Sequence, residues 1–133
     1  MDADGNGQFS RHQRLTSSAD FKRVFSRPTK VADADITLLA RSNGLDHARL
    51  GLAIARKQLP RAVARNRIKR LARESFRQHQ RELAGMDVIV MVRRGIGERS
   101  NSEIFTQLEA LWRKLRKKLA PQPEQKLAKP CNE

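Results

Sequence analysis

The chain has 133 residues, enough for one compact domain with a modest core and too few for two. Its 28 Lys and Arg outnumber 14 Asp and Glu, a formal charge of +14, so the natural partner is a polyanion, either a nucleic acid or an anionic membrane surface. A single cysteine, Cys131, excludes an internal disulfide, and the longest uninterrupted apolar run, Val88 to Val92, is far too short to span a membrane.

The opening residues, Met-Asp-Ala-Asp-Gly-Asn-Gly, are acidic and polar, with neither the basic region nor the apolar core of a signal peptide. Together with the lone cysteine this predicts a cytoplasmic protein. Residues 1–10 read as a flexible N-terminus, 11–119 as one RNA-binding domain and 120–133, opening on Pro121-Gln122-Pro123, as a flexible tail.

Within the domain, Ser17-Ser18 caps a first helix carrying Phe21, Val24 and Phe25 at helical spacing, and Pro28 keeps it short. Ile36, Leu38 and Ala40 alternate with Thr37, Leu39 and Arg41 as in a strand, followed by an Asn43-Gly44 turn. Arg49 to Ala55 reads as a second strand. Leu50, Leu52 and Ile54 share one face, and Gly51, Ala53 and Ala55 form a row of small residues on the other. That row suits either a closely packed helix or the close approach of a ligand.

Pro60 introduces a long helix, roughly Arg61 to Leu83, ended near Gly85. Asp87 to Arg93 reads as a central strand covered on both faces. Ser100-x-x-Glu103 is a capping box that opens a last helix, whose stripe is Ile104, Leu108, Leu111, Leu115 and Leu119. Trp112 on that helix is expected to pack rather than stack on a base.

The charge is concentrated in the middle of the chain. Arg49 to Arg81 holds eleven Lys and Arg against one acid, Glu74. On a helical wheel Ala64, Ile68, Leu71, Ala72, Ser75, Phe76, His79 and Leu83 gather on one side. Arg70, Arg73, Arg77 and Arg81 fall opposite, with Asn66 beside them and Arg65 and Arg67 near the helix start. Their spacing makes a ridge about 16 Å long, at about 1.5 Å per residue, able to meet successive phosphates. Solvated helix faces usually mix signs, and here only Glu74 and Glu82 interrupt. Guanidinium groups also suit bidentate phosphate contact and stacking on bases.

The run Ala64-Arg65-Asn66-Arg67-Ile68-Lys69-Arg70-Leu71-Ala72-Arg73-Glu74-Ser75-Phe76-Arg77 closely resembles the "RNR" signature of the bacterial ribonuclease P protein subunit. Asp20 to Phe25 resembles the family's first helix, Arg49 to Lys57 the strand leading to the signature, and Asp87 to Arg94 the strand after it. The resemblance covers about residues 14 to 118. It implies an α+β single domain, an αβββαβα sandwich with a small sheet, like the second domain of ribosomal protein S5. It further implies a short extra strand near Thr29 to Ala32 and a left-handed crossover at the signature helix, against the usual right-handed rule.

By the same resemblance, Arg65, Asn66, Arg67, Lys69, Arg70, Arg73, Arg77 and Arg81 contact a catalytic RNA. A cleft between first helix and sheet holds the single-stranded 5′ leader of precursor tRNA. Phe21, Phe25, Arg56 and Lys57 border it, with Lys69 and Arg73 near. Leu39 stands where some members carry an aromatic, so their third stacking platform is not expected here. Magnesium would be bound mainly by the RNA, which would carry the catalysis; no membrane and no further protein partner are implied.

The residues themselves show no catalytic or metal constellation. His12, His47 and His79 are widely separated and no local acidic cluster stands out, so the protein alone is expected to be inactive. His79, near the apolar face of its helix, reads as structural. Phe21 and Phe25 also fit a plain core role. A ribosomal or general RNA-binding protein is the alternative reading; a membrane-surface protein would need an apolar face left over after core packing.

Overall fold

A computed structural model describes residues 14–119. The polar N-terminal stretch, His12, the Pro-rich tail and Cys131 lie outside them. The elements run α1 (Ser18–Ser26), β1 (Thr29–Ala32), β2 (Ile36–Ser42), β3 (Arg49–Ala53), α2 (Ala62–His79), β4 (Met86–Val92) and α3 (Asn101–Leu119), with a short 3-10 helix at Arg94–Glu98. This is the expected αβββαβα order in an α+β fold, and the strand implied only by resemblance is present at Thr29–Ala32.

The sheet has the order β1-β2-β4-β3. β2 pairs antiparallel with both β1 and β4, whereas β3 lies parallel to β4, with Leu50 opposite Val88. Central placement explains the apolar run of β4, since both faces are covered. α2 and α3 cover one face, burying Ile68, Leu71, Phe76, Leu108, Leu111 and Leu115 against Leu38, Leu50, Val88 and Val90. α1 covers the other with a smaller cluster of Leu15, Val24, Leu39 and Ile89. Leu39 is thus part of the core.

Local signals set most of the boundaries. The Ser17 hydroxyl accepts from the Asp20 amide and starts α1. Before α3, the Ser100 amide donates to Glu103 Oε1 at 2.8 Å and the Glu103 amide to Ser100 Oγ at 3.1 Å, the reciprocal pair of a capping box. Two boundaries differ from expectation. β3 stops at Ala53 because the Ala55 carbonyl is taken by the amides of Gln58 and Leu59 in a turn. α2 ends at His79, four residues before Leu83, where Glu82, Leu83 and Ala84 bond back three residues in tight turns that lead to Gly85 at φ +85°.

Trp112 is buried and packs edge-on against Phe76. Its Nε1 donates to Ser75 Oγ at 2.8 Å, which satisfies two polar groups inside the α2–α3 seam. His79 lies beside the same ring and pairs with Glu82 at 3.1 Å, a structural role as expected.

Candidate nucleic-acid interface

The position of α1 depends on one buried carboxylate. Asp87, on β4, is 0% exposed. It accepts from Arg49 Nε and Nη2, both at 2.8 Å, from Asn43 Nδ2 at 2.9 Å, and from Arg23 of α1. Asp20 of α1 reaches Arg49 from the other side, at 3.4 Å. Hydrogen bonding to Asp87 holds the Arg49 guanidinium above its usual pKa. These contacts clamp one end of α1 to the sheet.

α1 is only nine residues long, so its face of the sheet is incompletely covered. Phe21 sits directly over Gly51, where a Cβ would come within 2.7 Å of the ring. Along the same face Ala53 is half-buried and Ala55 exposed. The small-residue row therefore packs a helix at Gly51 and beyond it leaves a more open floor that runs towards the exposed Arg56-Lys57 turn. Phe25 is 44% exposed, its ring 6.3 Å from that of Phe21, and is the outward ring of the pair.

β3 is an edge strand, and the chain entering α1 lies beside it, with the Leu15 amide donating to the Leu50 carbonyl at 2.8 Å. Between that segment and α2 lies a cleft of about 170 Å³ lined by Arg14, Thr16, Leu50, Leu52, Lys69 and Arg73, among others. Among the described residues three cations and no carboxylate line it. Arg73 is half-buried and its Nε has no hydrogen-bond partner among the described residues. Burial, and after it the neighbouring Arg14, push its guanidinium below the usual pKa; it stays charged at neutral pH.

The expected ridge is redistributed by the fold. Arg73 turns into this cleft, Arg77 pairs with Glu74 at 2.8 Å, and Arg81 lies in the turn after α2. Arg70 and Arg81 are exposed and, like Asn66, make no side-chain hydrogen bond or ion pair among the described residues.

Arg65 and Arg67 have work inside the protein. Arg65 Nη1 donates to the carbonyls of Leu59 and Pro60, both at 2.8 Å, and so ties the entering turn to the helix. Arg67 Nε donates to Asn101 Oδ1 at 2.8 Å and its Nη2 to the Arg99 carbonyl, joining the starts of α2 and α3.

This junction gathers cations the sequence leaves far apart. The Arg94 amide donates to Gln58 Oε1 at 3.0 Å, which draws the exposed Arg93-Arg94 pair to the Arg56-Lys57 turn and the α2 start. Its only advance signal is a double arginine directly after a strand. The first turn of α2 holds no acid and its N-cap, Arg61, offers no side-chain acceptor. The free amides and helix dipole there add further positive potential. Val63, 79% exposed, stands among these charges. Arg14, Arg93 and Arg94 were not evident as site residues from spacing alone. Among the described residues no group of three or more His, Cys, Asp or Glu is placed to hold a metal.

Comparison with known proteins gives a consistent answer. A family model described as Ribonuclease P matches residues 9–116. A ribonuclease P protein component of Pseudomonas syringae pv. tomato is 48% identical over 119 residues, 89% of each chain, and one of Pseudomonas aeruginosa is 51% identical over 108, 80% of each. Among solved structures, a Staphylococcus aureus RNase P protein superposes with a TM-score of 0.73 at 32% identity, covering 77% of this chain and 94% of that one. The Thermotoga maritima RNase P protein gives 0.65 at 30%, covering 75% and 96%.

Proposed function

This chain belongs to the ribonuclease P protein family, and from its site geometry we propose that it divides two RNA tasks between two surfaces. As a ribonuclease P subunit it partners an RNA. The exposed Arg70 of α2 and Arg81 of the turn after it, with Asn66, bind that RNA together with the Arg93-Arg94 pair, while Arg56 and Lys57 border the leader's cleft. The cleft between α1 and the sheet holds the single-stranded 5′ leader of precursor tRNA. The single observation that carries this reading is a second, cationic cleft across the edge strand β3, between the chain entering α1 and α2, where Arg14, Lys69 and Arg73 surround Leu50 and Leu52 with no carboxylate among the described residues. A phosphate there would be held by charge without base readout. Phe25, on the α1 side, offers a ring for base stacking.

The partner RNA carries out phosphodiester hydrolysis, and the protein raises affinity for substrate and metal. Guanidinium and ammonium groups repel a divalent cation and give it no oxygen ligand, so the interface residues do not fit magnesium as a protein-held ion. We assign that ion to the RNA. No helix among the described residues is long and apolar enough to cross a membrane, and we place the particle in the cytoplasm without a further protein partner.

The test is cleavage of precursor tRNA under magnesium by protein alone and by protein with its cognate RNA. Only the second should cut, at the mature 5′ end. Robust cleavage by repurified RNA-free protein would overturn this division of labour.

A further inference from the structure

On the sheet edge opposite the cleft, β1 and the last turns of α3 form an open groove of about 430 Å³. Lys30, Lys114, Lys117 and Lys118 line it above Val31 and Ala32, and no carboxylate among the described residues takes part. Lys118 Nζ donates to the Lys30 carbonyl at 2.8 Å. Lys30, Lys114 and Lys117 are exposed and make no side-chain hydrogen bond or ion pair among the described residues.

Elsewhere on the same helix cations are matched. Arg113 pairs with Glu109 at 3.7 Å and Arg116 with Glu82 at 2.8 Å. Unmatched charge is therefore confined to the groove side of α3. Four ammonium groups held together repel one another, and a polyanion would relieve that repulsion. Lysine presents point charges that suit phosphate oxygens and read no base. An open, shallow groove with an apolar floor fits a sugar–phosphate backbone laid along it.

α2 packs on α3 and β3, and α3 on β1 and β2, so α3 stands between the groove and the signature helix. Three strand spacings of about 4.8 Å alone put the two sheet edges about 14 Å apart. The groove and the signature helix are therefore separate surfaces with α3 between them. We propose that the lysine groove is a second phosphate-backbone docking surface, occupied by a segment of the partner RNA separate from the one on α2. The protein then bridges two parts of that RNA. This rests on the ribonuclease P reading above for the identity of the polyanion.

The experiment uses the full chain and its cognate RNA, comparing wild type with Lys30→Gln/Lys114→Gln/Lys117→Gln and, separately, Arg70→Gln. Lys118 is left in place because it bonds to the backbone. Affinity is measured across salt, and RNA protection is mapped by hydroxyl-radical footprinting. The triple variant should flatten the log–log salt slope by about 0.7 to 0.9 for each lysine on a phosphate, so by about 2 to 3 in all. It should also lose protection at one RNA segment while keeping the segment that Arg70→Gln weakens. An unchanged slope and footprint for the triple variant, with Arg70→Gln still defective, would overturn the groove and leave the family role intact. If neither variant moved the slope or footprint, the α2 assignment would fall as well. Circular dichroism establishes that each variant is folded.

Discussion

At the scale of single residues, the two phenylalanines of α1 separate into a packing ring and an exposed ring. Phe21 fills the space above Gly51, while Phe25 keeps 44% of its surface exposed. Base stacking on an aromatic is worth about 1–3 kcal/mol, so Phe25→Ala should weaken leader-bearing precursor tRNA roughly 5- to 150-fold. Mature tRNA has no leader, and its affinity should barely change. Equal losses for both substrates in reconstituted holoenzyme would return Phe25 to the core. Asp87 calls for a different measurement. Removing its carboxylate by Asp87→Ala strands Arg23 and Arg49, and breaking a buried charge network by one partner costs about 3–5 kcal/mol. A urea midpoint within error of wild type would mean the clamp is energetically idle.

At the scale of elements, α2 does two jobs with one row of arginines. Its inner and N-terminal members, Arg65, Arg67 and Arg73, are engaged by the protein or by the cleft, whereas its outer Arg70, and Arg81 in the turn that follows, face solvent. Substituting the outer pair with glutamine should flatten the salt slope of RNA binding by about 1.4 to 1.8, while the thermal midpoint holds. Arg65→Ala should do something else as well. It leaves the Leu59 and Pro60 carbonyls without their donor and should lower stability by about 1 kcal/mol in urea unfolding. If Arg65→Ala weakened RNA binding at full stability, the guanidinium would be contacting RNA and not tying the turn. The same duality holds for the row Gly51, Ala53 and Ala55, where only the length of α1 decides how much floor stays open.

At the scale of the molecule, a formal charge of +14 on 133 residues sets two opposite responses to salt. Screening relieves self-repulsion within the folded chain, because the Debye length falls below about 10 Å above 0.1 M. Raising sodium chloride from low to moderate concentration should therefore raise the thermal midpoint of the free protein. The same change should weaken RNA binding by counterion competition. A midpoint that fell with salt would mean that ion pairs such as Arg99–Asp35 and Arg116–Glu82 outweigh the net repulsion.

Apart from β1 at Thr29–Ala32, which only the resemblance implied, the helices and strands and their order could be read from local pattern. The Ser17 cap, the Ser100–Glu103 box, the apolar run of β4 and the buried stripe of α3 are all stated within a few residues of chain, because helix and strand periods act over that range. The polyanion partner was equally legible, since eleven cations against one acid between Arg49 and Arg81 need no fold to be counted. Which cation faces outward was not. Arg67 meets Asn101 thirty-four residues on, Arg94 is drawn to Gln58, and Phe21 rests on Gly51, contacts made only when distant segments pack. A helical wheel assigns an angle but cannot know what stands opposite it. Tertiary structure alone therefore selected Phe25 over Phe21, turned Arg73 into the cleft and brought Lys30 beside Lys114 and Lys117, because side-chain burial is decided by packing partners far away in sequence.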